Sequence, residues 1–302
     1  MDTPEVSCVI VCYHRHESIR IMTAALVDPR IEVIVVNAEA DPEVEAIATA
    51  SGATVVPIFG DPGYATAVNL GARHATSEFV ILMNDDLRVD VEVVMAMKEA
   101  VASGQGDVVV PAVLDSEGAP EATIKAAPTP VALIREVLLL PDHPVPFLQG
   151  RIRVEKWRAP AVPEEIESCG PPMLAVRTQF VRDRPLPEDY FLYWDEVEWF
   201  WKIREVGARV IYRPDLKVMH IGGRRDVSAA KSELITRNAV RCVLRTQGRG
   251  AALAAFVIIL AYNVRLVAVD WLRSRLRRDQ DSSVLQARIA GLKQTPASFR
   301  EI

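Results

Sequence analysis

Several features are missing from the 302-residue sequence, and each absence excludes something. Its four cysteines, Cys8, Cys12, Cys169 and Cys242, form no CxxC pair, so neither a disulfide framework nor a zinc site is indicated. No basic segment followed by an apolar stretch and a small-residue cleavage site opens the chain, so secretion is not expected and a reducing cytoplasm fits. The GxxxxGK[ST] phosphate loop is missing, and there is no internal repeat. The longest unbroken apolar run falls short of the roughly 20 residues that span a bilayer. With a net charge of −5 there is no reason to expect nucleic acid as the main partner.

What is present is enough apolar material for a large core: 50% of residues are hydrophobic. Short apolar runs alternate with helix-like segments. Strands are expected at Val6–Cys12, Glu32–Val36, Thr54–Ile58, Phe79–Met83 and Asp107–Val110. Helices are expected at His16–Leu26, Pro42–Ala50, Ala65–His74 and Val91–Ala102. This order implies an α/β fold with a mostly parallel sheet covered by helices on both faces. Ligands of such sheets bind at the carboxyl ends of the strands, here just after Cys12, Val36, Ile58 and Met83. Cys8 and Cys12, four apart in a strand, should share a buried face. From about residue 119 to 165 prolines accumulate, which reads as a loop-rich insertion with one short apolar helix at Val131–Leu140. Beyond it, Met173–Val176 reads as a strand and Asp195–Val206 as a helix closed by Gly207. Arg209–Tyr212 and Lys217–Met219 read as short strands flanking Pro214.

Three constellations carry candidate chemistry. Phe79–Met83 runs directly into Asn84-Asp85-Asp86, which sets hard oxygen ligands at the sheet edge. A phosphate-bound Mg²⁺ or Mn²⁺ needs such ligands; the alternative is that Asp85 or Asp86 caps the following helix. Tyr190–Trp199 places Asp195, Glu196 and Glu198 at a helix start after an aromatic run. Capping, with Glu198 completing a capping box to Asp195, accounts for two of the acids. Glu196 is left for a carboxylate base. His220 ends a strand before Gly222-Gly223, where backbone and the arginines Arg224 and Arg225 can approach a diphosphate. His14 and His16 form an HxH pair with no acid spaced nearby, and are read as loop residues without a metal role.

In order and spacing these pieces resemble the family 2 glycosyltransferases of GT-A fold, in particular the rhamnosyltransferase-like bacterial members. The resemblance is carried by Ser7–Tyr13, Val33–Val36, Gly63–Gly71, Leu82–Asp86, Phe191–Ala208 and Val218–Gly223. It implies a Rossmann-like GT-A domain over residues 1–245, followed by an amphipathic helical tail over 246–302. It also implies inverting transfer of a sugar from a nucleotide-diphosphate donor to a saccharide or lipid-linked saccharide acceptor, with Asp86 and His220 at the metal and Glu196, with Asp195 beside it, as base. Tyr13, Asn37, Asn69, Asn84, Asp85 and Arg224 fall at donor-binding positions. Asn37 stands where relatives carry an Asp that reads the nucleobase, and Glu196 replaces an Asp. A catalytically silent nucleotide-sugar-binding scaffold is the alternative. A nucleotidyltransferase would need a glycine-rich basic loop after the first strand, and Tyr13–His16 does not supply one.

The stretch from Arg241 to Arg278, which runs into the tail, carries eight arginines against one acid, Asp270. Mixed with Trp271 and leucines, they suit a helix lying on an anionic membrane surface, which would place the protein at the inner face of the cell membrane. The alternative is a helix packed on the catalytic domain or forming a homodimer seam.

Overall fold

The computed structural model describes residues 3–125, 128–130, 160–222 and 229–276, with single positions 286, 289 and 292. Residues 3–125, 160–191 and 199–222 form one unit; residues 128–130, 192–198 and 229–276 form a second.

The first unit is built on strands β1 (Val6–Cys12), β2 (Ile31–Ala38), β3 (Thr54–Ile58), β4 (Phe79–Asn84), β5 (Leu87–Arg88) and β6 (Val108–Leu114). Between them run helices α1 (His16–Ala25), α2 (Pro42–Ala50), α3 (Tyr64–His74) and α4 (Val91–Ala102). Short strands β7 (Ile124–Lys125), β8 (Glu164–Glu165) and β9 (Ser168–Cys169) precede β10 (Met173–Arg177), helix α5 (Thr178–Asp183), helix α6 (Asp195–Glu205), which belongs to this unit from Trp199 onward, and β11 (Val210–His220). The main sheet runs β3-β2-β1-β4-β10-β6-β11-β5, with β8 on β11. Strands β3, β2, β1 and β4 are mutually parallel, as are β6 and β11. Strand β10 enters antiparallel between β4 and β6, which makes the sheet mixed.

Alternation along the strands divides the core between two faces. Cys8, Ile10 and Cys12 pack with Ile19 and Met22 of α1, Val44 of α2 and Met97 of α4. Val9, Val36 and Leu82 pack with Val68 of α3 and with Trp199, Phe200 and Ile203. Cys8 and Cys12 therefore share one buried face, as their spacing implies. Gly71 lets α3 approach the sheet closely: a Cβ there would collide with Val9 and lie 2.8 Å from Val36 Cγ2.

One expectation changes. The two strands expected around Pro214 are one strand, β11, whose register on β6 shifts between Arg213 and Lys217. Proline lacks the N–H a ladder needs, and the shift accommodates it. The helix expected at Val131–Leu140 lies outside the described residues.

In the second unit, helix α7 (Ala229–Gln247) turns at Gly248, φ 85°, into the 28-residue helix α8 (Arg249–Leu276). Trp194 packs with Val240, Val243, Ala252 and Ala255 of this pair. Polar Tyr262, Asn263 and Arg265 do not interrupt α8. Its Arg249–Val269 part is, contrary to the sequence reading, long and apolar enough to cross a membrane by length and composition, with mean hydropathy 2.2.

Candidate functional site

Sheet order reverses direction between β1 and β4, and the crevice outside those carboxyl ends is where an α/β sheet binds its ligand. Tyr13 follows β1, and Asn84-Asp85-Asp86 closes β4. The Asn84 amide donates to Pro172 O at 2.8 Å, fixing where β4 ends. Neither aspartate caps a helix: β5 intervenes, and α4 starts after Asp90. The capping alternative for Asp85 and Asp86 is therefore withdrawn.

Both aspartates are buried. Asp85 accepts from the Tyr13 amide at 3.3 Å and lies 3.6 Å from Arg15 Nε. Burial, reinforced by the neighbouring Asp86 charge and opposed by Arg15, pushes its carboxyl up to about 6. Asp86 Oδ2 takes Arg15 Nη1 at 3.1 Å and His220 Nε2 at 3.2 Å. Burial raises its pKa, but the hydrogen bond and charge of His220, with Arg15, outweigh that and leave Asp86 ionised. Its other oxygen, Oδ1, is buried with no hydrogen-bond partner among the described residues.

His220 is held from both sides. Its Nδ1 lies 3.1 Å and 3.3 Å from the two Glu121 oxygens, opposite the Asp86 contact. Hydrogen bonding to Asp86, with Glu121 adding, overcomes burial and raises the imidazole to about 9. The Ile221 amide donates to Asp86 O at 2.8 Å, so the end of β11 is tied to this same turn. A Cβ on Gly222 would collide with the Asp86 carboxylate and lie 2.8 Å from Arg15 Nη1. Only glycine fits there.

These contacts bring together Tyr13, Asn84, Asp85, Asp86 and His220. Arg15 and Glu121 join them without having been singled out in the sequence. Asn37 is fully buried, and its amide is used locally: Nδ2 donates to Asp41 O at 2.8 Å and Oδ1 accepts from Asp41 N at 3.1 Å. Asn69 similarly holds the 186–188 segment, exchanging hydrogen bonds with Leu186 O (2.8 Å) and Leu186 N (3.0 Å) and reaching Glu188 Oε1 (2.9 Å). Arg224 lies outside the described residues. His14 and His16, read as partnerless, face Asp41, Glu39 and Glu43, which the fold supplies from after β2.

In the second unit, Tyr193 (φ 67°) and Trp194 (φ 73°) adopt the left-handed backbone that non-glycine residues avoid. Asn238 of α7 clamps them, donating to Leu192 O at 2.7 Å and Tyr193 O at 3.1 Å. Asp195 and Glu196 follow directly. Asp195 is buried, and its Oδ2 has no partner among the described residues. Burial, with the Glu196 charge and hydrogen bond, pushes its pKa well above the usual carboxylate range. Glu198 is fully buried with its carboxylate 3.5 Å from Arg245 Nη1 of α7.

Against known proteins, residues 7–146 match the family model described as glycosyl transferase family 2. Over these residues, a little under half of its length, the chain is similar to that family. Solved structures extend the likeness to the fold. GalNAc-T7 crystallised with UDP, GalNAc and Mn²⁺ is 17% identical with a TM-score of 0.56, over 80% of this chain and 47% of that one. This chain thus spans about half the length of that relative. The mannosyltransferase PcManGT from Pyrobaculum calidifontis, in complex with GDP-Man and Mn²⁺, is 15% identical with a TM-score of 0.53 over 99% of this chain and 86% of that one. Glucosyl-3-phosphoglycerate synthase from Mycobacterium tuberculosis, in complex with phosphoglyceric acid, is 16% identical with a TM-score of 0.55 over 81% and 80%. At these identities the likeness is one of fold, and the fold is GT-A. No curated protein matches the chain.

Proposed function

We propose that this chain is a metal-dependent, inverting glycosyltransferase that moves a hexosyl or rhamnosyl-type sugar from a nucleotide-diphosphate donor to a saccharide or lipid-linked hydroxyl, in assembly of cell-wall or surface polysaccharide or glycolipid. The observation that carries this reading is the Asp86 carboxylate: buried, ionised, at the carboxyl end of β4, with one oxygen unpartnered.

That orphaned oxygen fits a divalent cation, because a buried ionised oxygen is costly without a partner. Asp86 would hold Mg²⁺ or Mn²⁺ with His220 and Asn84, and the cation would offset the charge growing on the diphosphate leaving group. The Arg15 guanidinium meets both aspartates and adds positive charge beside that position. Tyr13, 48% exposed at the sheet edge, is the proposed nucleoside contact. Asn37 and Asn69 shape that edge through the turns they hold, and Arg224 is a proposed phosphate contact.

Glu196 is the proposed base. It accepts the proton of the acceptor hydroxyl as the hydroxyl oxygen bonds to the anomeric carbon and the bond to the diphosphate oxygen breaks. Asp195 is the weaker candidate: it is buried, and burial with the adjacent Glu196 charge disfavours the ionised carboxylate that a base must present.

The tail helix supports placement at the inner face of the membrane. Leu253, Val257, Val264 and Trp271 are exposed, and spacings of four and seven residues put them on one stripe of α8. The full chain should co-sediment with vesicles containing anionic phospholipid. Self-association in ultracentrifugation without vesicle binding would instead mark a homodimer seam.

A thermal-shift panel of UDP-, GDP- and dTDP-sugars with and without Mn²⁺ tests the donor site. One donor class should stabilise the protein only when Mn²⁺ is present. Stabilisation without turnover across acceptors would mark a silent nucleotide-sugar-binding scaffold.

A further inference from the structure

The loops leaving β1 and β2 carry a second cluster that the proposed transfer reaction does not use. Asp41 Oδ2 lies 2.6 Å from His14 Nδ1 and 2.8 Å from His16 Nε2. The candidate ligand atoms of these three residues all lie within 4.8 Å of one another. A tetrahedral Zn²⁺ with bonds of about 2.0–2.1 Å separates its ligand atoms by roughly 3.3 Å. Side-chain shifts of a few tenths of an ångström would open the cluster to that spacing.

Three further features match what a built metal site requires. Asp41 is fixed in advance: its Oδ1 caps α2 through the Glu43 and Val44 amides at 2.9 and 3.4 Å, leaving Oδ2 to face the histidines. Its backbone is pinned on both sides by Asn37. Each imidazole also presents its far nitrogen to a carboxylate, His14 Nε2 to Glu39 at 2.8 Å and His16 Nδ1 to Glu43 at 3.4 Å. A carboxylate behind a ligating histidine sets its tautomer and orientation. Finally, His14 (φ 53°), Glu39 (φ 61°) and Ala40 (φ 49°) are non-glycine residues in the left-handed region, and that backbone brings the two loops together.

We propose that His14, His16 and Asp41 form a second metal site, for a first-row transition cation of the Zn²⁺, Co²⁺ or Ni²⁺ class. Glu39 and Glu43 act as outer carboxylates, and water fills the remaining positions. Two imidazoles and one carboxylate favour such a cation over Mg²⁺, which selects oxygen ligands. The side chains of His14 and His16 are 43% and 35% exposed, so a cation can enter from solvent.

The test is titration of tag-free, full-length His220→Gln protein with Zn²⁺ alone, which removes His220 of the proposed donor-metal site from the count. One equivalent should bind, and adding His14→Gln and His16→Gln should weaken that binding at least about 30-fold while circular dichroism stays unchanged. Equal binding by the multiple variant, or no saturable binding, overturns the proposal. A measurement on the unsubstituted chain guards against a folding defect: Zn²⁺ should shift the imidazole nitrogen resonances of His14 and His16, and unshifted resonances at saturating Zn²⁺ overturn it equally. Neither readout depends on donor turnover, so the failure of this site and the failure of the glycosyltransferase reading are distinguishable.

Discussion

His220 Nε2 stands 3.2 Å from Asp86 Oδ2, and the residues on either side of that contact are themselves bonded, with His220 paired to Leu87 in the sheet and Ile221 N to Asp86 O. The end of β11 and the end of β4 therefore form one rigid corner. The corner carries an anion, a cation-forming imidazole and a glycine that admits nothing larger.

Stability should report this pairing through pH. Folding raises the His220 pKa from 6.5 to about 9, so the pairing stabilises fully below 6.5 and fades as pH rises through 9. In EDTA, the unsubstituted protein should exceed His220→Gln by about 1.5–3 kcal/mol at the acid end of this window, the worth of a hydrogen bond to a charged group. Urea unfolding at several pH values checks this. A gap that stays constant through the window counts against it.

Gly222→Ala should weaken Mn²⁺-dependent donor binding at least about tenfold, equivalent to roughly 1.4 kcal/mol. The added methyl occupies the space between the Asp86 carboxylate and Arg15. Calorimetric titration with the donor class found in the thermal screen measures it. Unchanged affinity would show that this corner lies away from the donor.

Glu196→Gln should leave donor affinity within about twofold while transfer falls by about 10²–10⁴, the usual contribution of a positioned base. Donor titration and product formation separate the two effects. Normal transfer would exclude Glu196 as the base.

Asn238→Ala should cost about 1–3 kcal/mol, because two backbone carbonyls lose their shared donor. The strained Tyr193–Trp194 turn would then relax, and transfer should fall more than the stability loss explains. An effect on stability alone would make the clamp purely structural.

Much of the fold was legible because the elements that hold it announce themselves locally. Val6–Cys12, Pro42–Ala50, Thr54–Ile58 and Val91–Ala102 are read from the sequence at the bounds the structure gives. Continuous apolar strands and an Asp-Pro helix start leave little choice there. Strand β11 was misread because Pro214 suggests a break, whereas the register shift that absorbs it depends on the partner strand β6. Asn84, Asp85, Asp86 and His220 were legible as residues at strand ends. Arg15, Glu121 and the acids facing His14 and His16 were not, because they arrive from distant positions and sequence spacing carries no sign of them. For the same reason, Asn37 reads as a donor contact in sequence, although its amide is bonded to Asp41.

The most direct test is turnover of the stabilising nucleotide sugar with Mn²⁺ by the unsubstituted chain and by Asp86→Asn. Loss of a metal ligand that neutralises the leaving group should remove several kcal/mol of transition-state stabilisation. The variant should therefore turn over at least about 100-fold more slowly while remaining folded. Asp86→Asn turning over at the rate of the unsubstituted chain would contradict the account.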